Sequence, residues 1–457
     1  MQLKSQWKNR KKGCETPFYA LGLLKLRIPF VHYRFEAPDF IQGLLMCAVD
    51  LAAIPLITEV IGAPFEVALA IVILNGFLYL IHHLLGDPVI PGWITPAIPL
   101  VLVYVKTFPE NDRVHALVAF QMILGILSVL LGITKLATKT IKLIPSAIKS
   151  GVVLGAGLAA VNLVFKEGGR FESYPFSISI VAGIAFYLIF SKHFATLIKR
   201  KKAWALIAKL GIFPIIALSV FLAPFLGETP WPNIKWGLSK PNFALLFSNY
   251  TIFGLGIPPL SLFISSMPTV IATYIILFGD VLQSKAILKE AYKEREDEKI
   301  DYNPNRAHFL FGIRNFGMSI FGPDIAMCGP LWAAMHVVIV ERYKQGKKAM
   351  DSIFGGSGSF RFGTNLGLLL LPIVSLVKPV LGIALALTLL IQGYVSVRVG
   401  ILEAQNQKDL GIAGIIAALL ITKGATWAFI TGFILCFLIY GKQLFKNDIK
   451  KEWFKDS

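Results

Sequence analysis

Long apolar runs alternate with short polar connectors from Phe40 to Tyr440. A hydrocarbon core about 30 Å thick needs roughly 20 apolar residues per helix. Windows of that kind recur about fourteen times, several of them short or broken. Their cores fall near 40–61, 65–86, 94–106, 114–134, 144–164, 176–195, 205–226, 260–285, 307–321, 327–341, 362–377, 379–398, 410–422 and 425–441. The pattern predicts an all-α polytopic membrane protein with about 14 transmembrane segments. Seven segments in each half place the halves in opposite orientations, a 7+7 inverted repeat. The expected divisions are an N-terminal segment 1–39, a first repeat 40–226, an extracytoplasmic connector 227–259, a second repeat 260–441 and a tail 442–457.

Two segments break the helical pattern in the same way. Val89–Val105 and Ile320–Val340 are apolar enough for a membrane, yet Gly and Pro interrupt both. Backbone at membrane depth cannot leave N–H and C=O groups unpaired, so a broken helix there faces protein or a polar cavity. A pair of such segments, one per half, points to the substrate site of a secondary transporter. The breaks are also in register: Pro96 and Pro330 are 234 residues apart, as are Pro145 and Pro379 two helices later. This shared offset predicts an internal duplication.

Composition sharpens the class. The chain is 55% hydrophobic and 16% charged, far from a soluble domain. Its net charge of +18 raises nucleic acid as a partner, but the distribution argues against it. With the N-terminus inside, segments 1–39, 135–143, 191–204, 285–306, 342–361 and 442–457 hold about 32 of the 45 Lys and Arg. That asymmetry is the positive-inside rule and predicts cytoplasmic termini in a cell inner or plasma membrane. The basic charge then serves topology and attraction to anionic lipid. No apolar run with a cleavage site follows the basic start, so no signal peptide is expected. Residues 23–40 read as an interfacial amphipathic lead-in, and 289–308 as a mixed-charge connector. Cys14, Cys47, Cys328 and Cys436 lack metal spacing. No Walker loop, HExxH or GxSxG motif occurs, and no convergent nucleophile–base pair marks an enzyme. No cofactor or metal is expected.

The order of segments resembles the nucleobase–ascorbate transporter family, which includes uracil permease. The likeness rests on "NGFLYLIHHLLGDPVIPGWITPAIPLVLV", "IPSAIKSGVVLGAGLAAV", "TPWPNIKWGLSKPNF", "MPTVIATYIILFGDVLQSKAIL" and "GYVSVRVGILEA". SulP-type sulfate permeases share this fold. The resemblance implies a uracil-permease-like fold with core and gate domains. The third and tenth segments would each be a short strand plus a half-helix, and the half-helix N-termini would face each other. The gate would carry the contact of a homodimer. A helix N-terminus offers partial positive charge and free N–H donors, which favours an anionic or carbonyl-bearing ligand.

The departures concern substrate. The resemblance leads one to expect an acid four residues before Asp280 of the Gly279-Asp280 pair, where Ile276 stands, and another on the tenth segment, where Leu331 stands. The first helix lacks the family's Gln-His pair and carries Asp50 instead.

Intramembrane ionisable residues are functional hypotheses by default. Asp280 and Asp50 are the candidate coupling acids. Arg314 is read either as an electrostatic well for an anion, or as a structural partner of Asp280 or Asp324. Asp324 is read as an outer-face loop acid or as part of the tenth segment's strand. Trp93, Ile94, Thr95 and Ala97 would line one half-helix, and Met327, Cys328, Gly329 and Leu331 the other. Adjacent His82 and His83 point about 100° apart on a helix and read as packing or interfacial residues, not a metal pair. His336 is a lone titratable candidate. The expected function is a secondary active transporter of a small polar solute, coupled to protons rather than sodium. The alternatives are a SulP-like anion transporter, or an uncoupled channel.

Overall fold

The computed structural model describes residues 6–200, 204, 207 and 212–441. The 442–457 tail and much of the start of the 205–226 segment lie outside the described residues.

The helices used below are α1 (Ala37–Leu51), α2 (Ile54–Ile61), α3 (Phe65–Leu85), α4 (Ile98–Val105), α5 (Arg113–Thr134), α6 (Ser146–Phe165), α7 (Pro175–Phe190), α8 (Phe213–Phe225), α9 (Leu260–Glu294), α10 (Pro304–Phe321), α11 (Ala333–Lys344), α12 (Ile353–Leu369), α13 (Leu381–Glu403), α14 (Gln407–Lys423) and α15 (Ala425–Tyr440). Among the described residues, six helical stretches are long and apolar enough to cross a membrane by length and composition, or seven if the bent pair at 175–198 is one span. Fewer stretches pass this test than the fourteen expected. Some described helices are simply short, such as α8 and α15, and others are polar because they pack inside the protein: α10 is buried over one face and α12 along nearly its whole length. Their interiors therefore tolerate His308, Arg314 and Asn315, and Arg361, Thr364 and Asn365. The chain is a mostly helical, multi-pass membrane protein.

Packing divides the helices into two sets. One holds α1, α3, α5 and α9–α12; the other holds α6–α8 and α13–α15. Across the halves, α3 packs on α10 and α6 on α13, so segments at matching positions meet each other. Small residues permit these approaches. A Cβ on Gly157 would come within 2.8 Å of the Gly393 carbonyl oxygen between α6 and α13, and where α5 packs on α10 one on Gly125 would come within 2.6 Å of the Phe316 nitrogen.

The helix α12 departs most from the sequence reading, which began that segment at 362. It starts at Ile353 and is buried along nearly all its length. Residues Gly355, Ser359, Gly363 and Gly367 repeat every fourth position, so they form one stripe along the helix. Gly363 and Gly367 lie against Phe40 and Leu44 of α1, and Ser359 accepts from the Glu36 N–H at 2.8 Å.

The N-terminal segment folds onto the protein rather than standing free as a lead-in. Strands β1 (Tyr19–Leu21) and β2 (Leu24–Leu26) form a hairpin. Around it, Lys25 bridges Glu15 and Asp301, and Arg27 pairs with Glu15. Arg10 donates to the carbonyls of Asp297 and Asp351, and Thr16 and Ser352 share Glu298. Arg342 pairs with Asp39, and Arg306 with Asp87. The 289–308 stretch is therefore a helix end plus one wall of this clasp, not a plain connector. The N-terminal segment, the 295–306 loop and the 342–352 turn consequently share one face.

Candidate functional site

The two broken segments cross one another. The stretches 90–94 and 328–332 run past each other antiparallel, with Gly92 bridged to Gly329. The Ile94 N–H donates to Ala326 O at 3.1 Å, the Gly329 N–H to Gly92 O at 2.7 Å, and the Trp332 N–H to Ile90 O at 2.7 Å. Each strand then enters a helix: a short turn at Thr95–Ala97 and α4 on one side, α11 on the other. The antiparallel pairing sends these half-helices away in opposite directions, as an inverted repeat requires.

Local chemistry explains why the chain is extended here. Pro91, Pro96 and Pro330 lack N–H groups and push the preceding residue out of the helical region. The glycines allow backbone contact: a Cβ on Gly329 would lie 2.8 Å from the Trp93 carbonyl, and one on Gly92 2.8 Å from the Trp332 Cβ. Met327 holds φ at 58°, a left-handed conformation unfavourable for a side chain of its size. Asp324 supports that turn, accepting from the Ala326 N–H at 2.9 Å.

Two guanidinium groups grip the crossing, one on each strand. Arg314 of α10 donates to Gly329 O at 3.2 Å. Arg361 of α12 donates to Pro91 O. Both lie over the ring of Tyr79, at 4.7 and 4.1 Å from its centroid. Asp50 of α1 pairs with Arg361 at 3.3 Å. Arg314 has no acid within ion-pair distance among the described residues, and its Nε and Nη2 are buried without hydrogen-bond partners. The Tyr79 hydroxyl beside them is also buried and unpartnered.

A neutral amide network backs the second strand. Asn75 donates to Asp324 at 2.6 Å. Asn315 accepts from the Cys328 N–H at 3.0 Å and donates to its carbonyl at 2.8 Å. Gln121 accepts from the Asp324 N–H at 3.0 Å. Four side chains on α3, α5, α10 and the strand thus fix its path.

Several expectations need correction. Arg314 is the partner of neither Asp280 nor Asp324; the strand carbonyl and Tyr79 take those places. Asp324 is not an outer loop acid, since it is buried under Asn75. Asp50 is not isolated, and its partner Arg361 stands in a stretch counted as cytoplasmic. Trp93, Ile94, Ala97, Met327, Cys328, Gly329 and Leu331 are buried at or beside the crossing, with Thr95 half-buried at the first turn. Asp280 stands apart on α9, half-buried, with no hydrogen bond or ion pair to its carboxylate among the described residues. His82 and His83 are both buried, and His83 Nε2 lies 3.2 Å from Phe354 O, so they are packing residues.

No protein-family model matches the chain, and no curated protein matches it in sequence. Solved structures do match it. The transmembrane domain of BicA, a cyanobacterial bicarbonate transporter, is 14% identical, with 87% of this chain and 97% of that one covered at a TM-score of 0.51. The structure of SLC26A9 is 15% identical, covering 88% of this chain and 64% of that one, also at 0.51. At these identities the likeness is one of fold. It supports the transporter fold and lends no support to the closer kinship with nucleobase–ascorbate permeases.

Proposed function

We propose that the chain is a secondary transporter of a small anion, closer in function to SulP-type permeases than to uracil or xanthine permeases. The observation that carries this reading is Arg314. It holds a strand carbonyl with one nitrogen and leaves two buried nitrogens unpartnered, with no acid beside it. Buried charge is retained only when something compensates it, and an oxyanion fits the planar guanidinium fork. The positions where a nucleobase permease would place acids hold Ile276 and Leu331, both buried and apolar. The bicarbonate transporter of the same fold is in keeping with this. Transport would proceed by alternating access, one helix set moving against the other around the crossing.

Coupling to protons is part of the same proposal. Asp280 is the better carrier of the two candidate acids, because Asp50 is engaged by Arg361. The clasped face would be cytoplasmic, since the basic loops lie there.

A ligand-stabilisation assay on the purified protein tests the substrate class. A ligand that binds only the folded state raises stability by mass action, about 2.7 kcal/mol at a hundredfold excess over its dissociation constant. Bicarbonate, sulfate or chloride should raise the melting temperature, with uracil and xanthine inert. Stabilisation by the nucleobases alone would reverse the proposal.

A further inference from the structure

An open groove of about 420 Å³ lies between α6, α7 and α13, on the exposed side of the second helix set. Phe165, Ala182, Phe186, Leu390 and Val397 are among its walls, around Tyr394, and every residue lining it is apolar or aromatic. The helices α7 and α13 run parallel along it. Tyr174 packs on Gly382 where they begin, and the rings of Phe190 and Tyr394 lie 4.4 Å apart further along. Both helices therefore finish at the same end of the groove.

That end is cationic. Arg398 is exposed and stands one turn beyond Tyr394 on the same face of α13. The chain bends by 64° after Phe190, and an exposed Lys192 opens the short helix Lys192–Arg200 there. Neither side chain has a hydrogen-bond or ion-pair partner among the described residues. The stretch 191–212 contains no Asp or Glu, and Glu403 at the end of α13 pairs with neither cation. The Tyr394 hydroxyl makes no hydrogen bond among the described residues either, although its ring packs on Phe186 and Phe190.

A cation near a helix C-terminus complements the dipole, and basic residues at a membrane edge set topology. Neither reason calls for an apolar groove running up to the cations, or for a bare hydroxyl where it meets them. A hydrocarbon chain fits the groove, because it brings no polar atom that the walls would leave unpaired. A phosphate fits its end. Arg398 and Lys192 can donate charge-assisted hydrogen bonds to phosphate oxygens, and the Tyr394 O–H finds an acceptor in the same headgroup. A second copy of the chain seated through this face would bring more cations and no acid, since a symmetric contact sets a surface against itself.

We propose that this groove holds an acyl chain of an anionic phospholipid, with its headgroup phosphate at Arg398 and Lys192. The site belongs to a different helix set from Arg314 and does not depend on which solute is carried.

Native mass spectrometry of the full-length protein, released from detergent, reads lipid occupancy and oligomeric state together. Phosphatidylglycerol and phosphatidylcholine with the same acyl chains are titrated separately. Phosphatidylglycerol should bind in one saturable step, about tenfold or more tighter than phosphatidylcholine. Arg398→Gln with Lys192→Gln should erase that preference and leave phosphatidylcholine binding unchanged, whereas Arg398→Lys should keep it. Ala182→Phe fills the groove and should weaken both lipids. These positions are exposed or half-buried, and melting temperatures near wild type check that the variants fold. Equal binding of the two lipids by the wild type would overturn the proposal, as would a preference that survives the double variant. Displacement of the lipid by inorganic phosphate would reduce the site to a phosphate site in which the groove has no part. A dimer that Ala182→Phe dissociates, with lipid binding unaltered, would give the groove to a second copy instead.

Discussion

Arg314 and Arg361 come from different helices, yet each donates to a carbonyl of one crossing strand and each lies over Tyr79. Only Arg361 has an acid beside it. The difference separates two uses of one side chain. Arg361 with Asp50 makes a closed pair that ties α12 to α1 and to the first strand. Arg314 makes the matching grip on the second strand and keeps hydrogen-bonding capacity in reserve. Geometry of the same kind therefore supports a structural role at one residue and a recognition role at the other.

Removing the acid should have the largest effect. Asp50→Asn leaves the Arg361 charge buried without its partner, which typically costs about 3–5 kcal/mol. Thermal unfolding in detergent should show a large loss, and wild-type stability in this variant would erase the distinction. Arg314→Gln should behave differently. It gives up one hydrogen bond to a carbonyl, on the order of 1–3 kcal/mol if that oxygen is left unsatisfied. Its main effect should be on ligand: at least about tenfold weaker anion binding, equivalent to 1.4 kcal/mol. A fall in stability as large as that of Asp50→Asn, with unaltered anion affinity, would make the two arginines alike.

Asp280 sharpens the contrast, because its carboxylate has no hydrogen bond or ion pair among the described residues. Asp280→Asn should leave stability and anion binding near wild type while abolishing pH-driven uptake. Exchange of solute at equal concentrations should survive, because exchange need not release the proton. Gradient-driven uptake that persists in this variant would remove Asp280 from coupling.

The smallest expected effect is at the clasp, where every guanidinium is matched with acids or carbonyls. Hydrogen bonding from Arg295 outweighs burial and holds the Asp297 carboxyl below its ordinary value. For Asp301, burial pushes upward, but Lys25 and Arg306 prevail and the net shift is downward. Lowered folded values mean that these contacts stabilise the clasp above the ordinary carboxyl range and are lost as pH falls through it, below about pH 4. Hydrogen exchange of residues 10–30 should speed up on acidification over that window. Asp297→Asn with Asp301→Asn should flatten the response, and an unchanged pH profile would show that other contacts hold the segment.

Much of the crossing is legible in the chain because its determinants are local. Pro91, Gly92, Pro96, Gly329 and Pro330 cluster tightly enough to break the helix at both places, and the 234-residue offset of Pro96 and Pro330 advertises the duplication. Arg361 is illegible for the opposite reason. Its surroundings, "GGSGSFRFGTNLG", are rich in small polar residues and resemble a loop, so its charge is counted with the cytoplasmic positives. The overlooked signal is the four-residue repeat of Gly355, Ser359, Gly363 and Gly367, which marks a tightly packed membrane helix. The clasp leaves no comparable trace. The contacts that close it, such as Arg306 with Asp87 and Arg342 with Asp39, join residues hundreds of positions apart, and nothing in either partner's neighbourhood names the other.

That separation has a consequence in time. Thr16 meets Glu298 across 282 positions, and Arg10 meets Asp351 across 341. At ribosomal speeds of about 5–20 residues per second, the first segment waits on the order of 20–70 s for its last partners to be synthesised. During that interval Arg10 and Thr16 are without the carbonyls and the acid they will finally hold and Lys25 is without Asp301, and the earliest spans must stay seated in the bilayer without them. Closure of that face is thus among the last events of biogenesis, so a chain cut short before residue 351 would leave the segment partly unfastened.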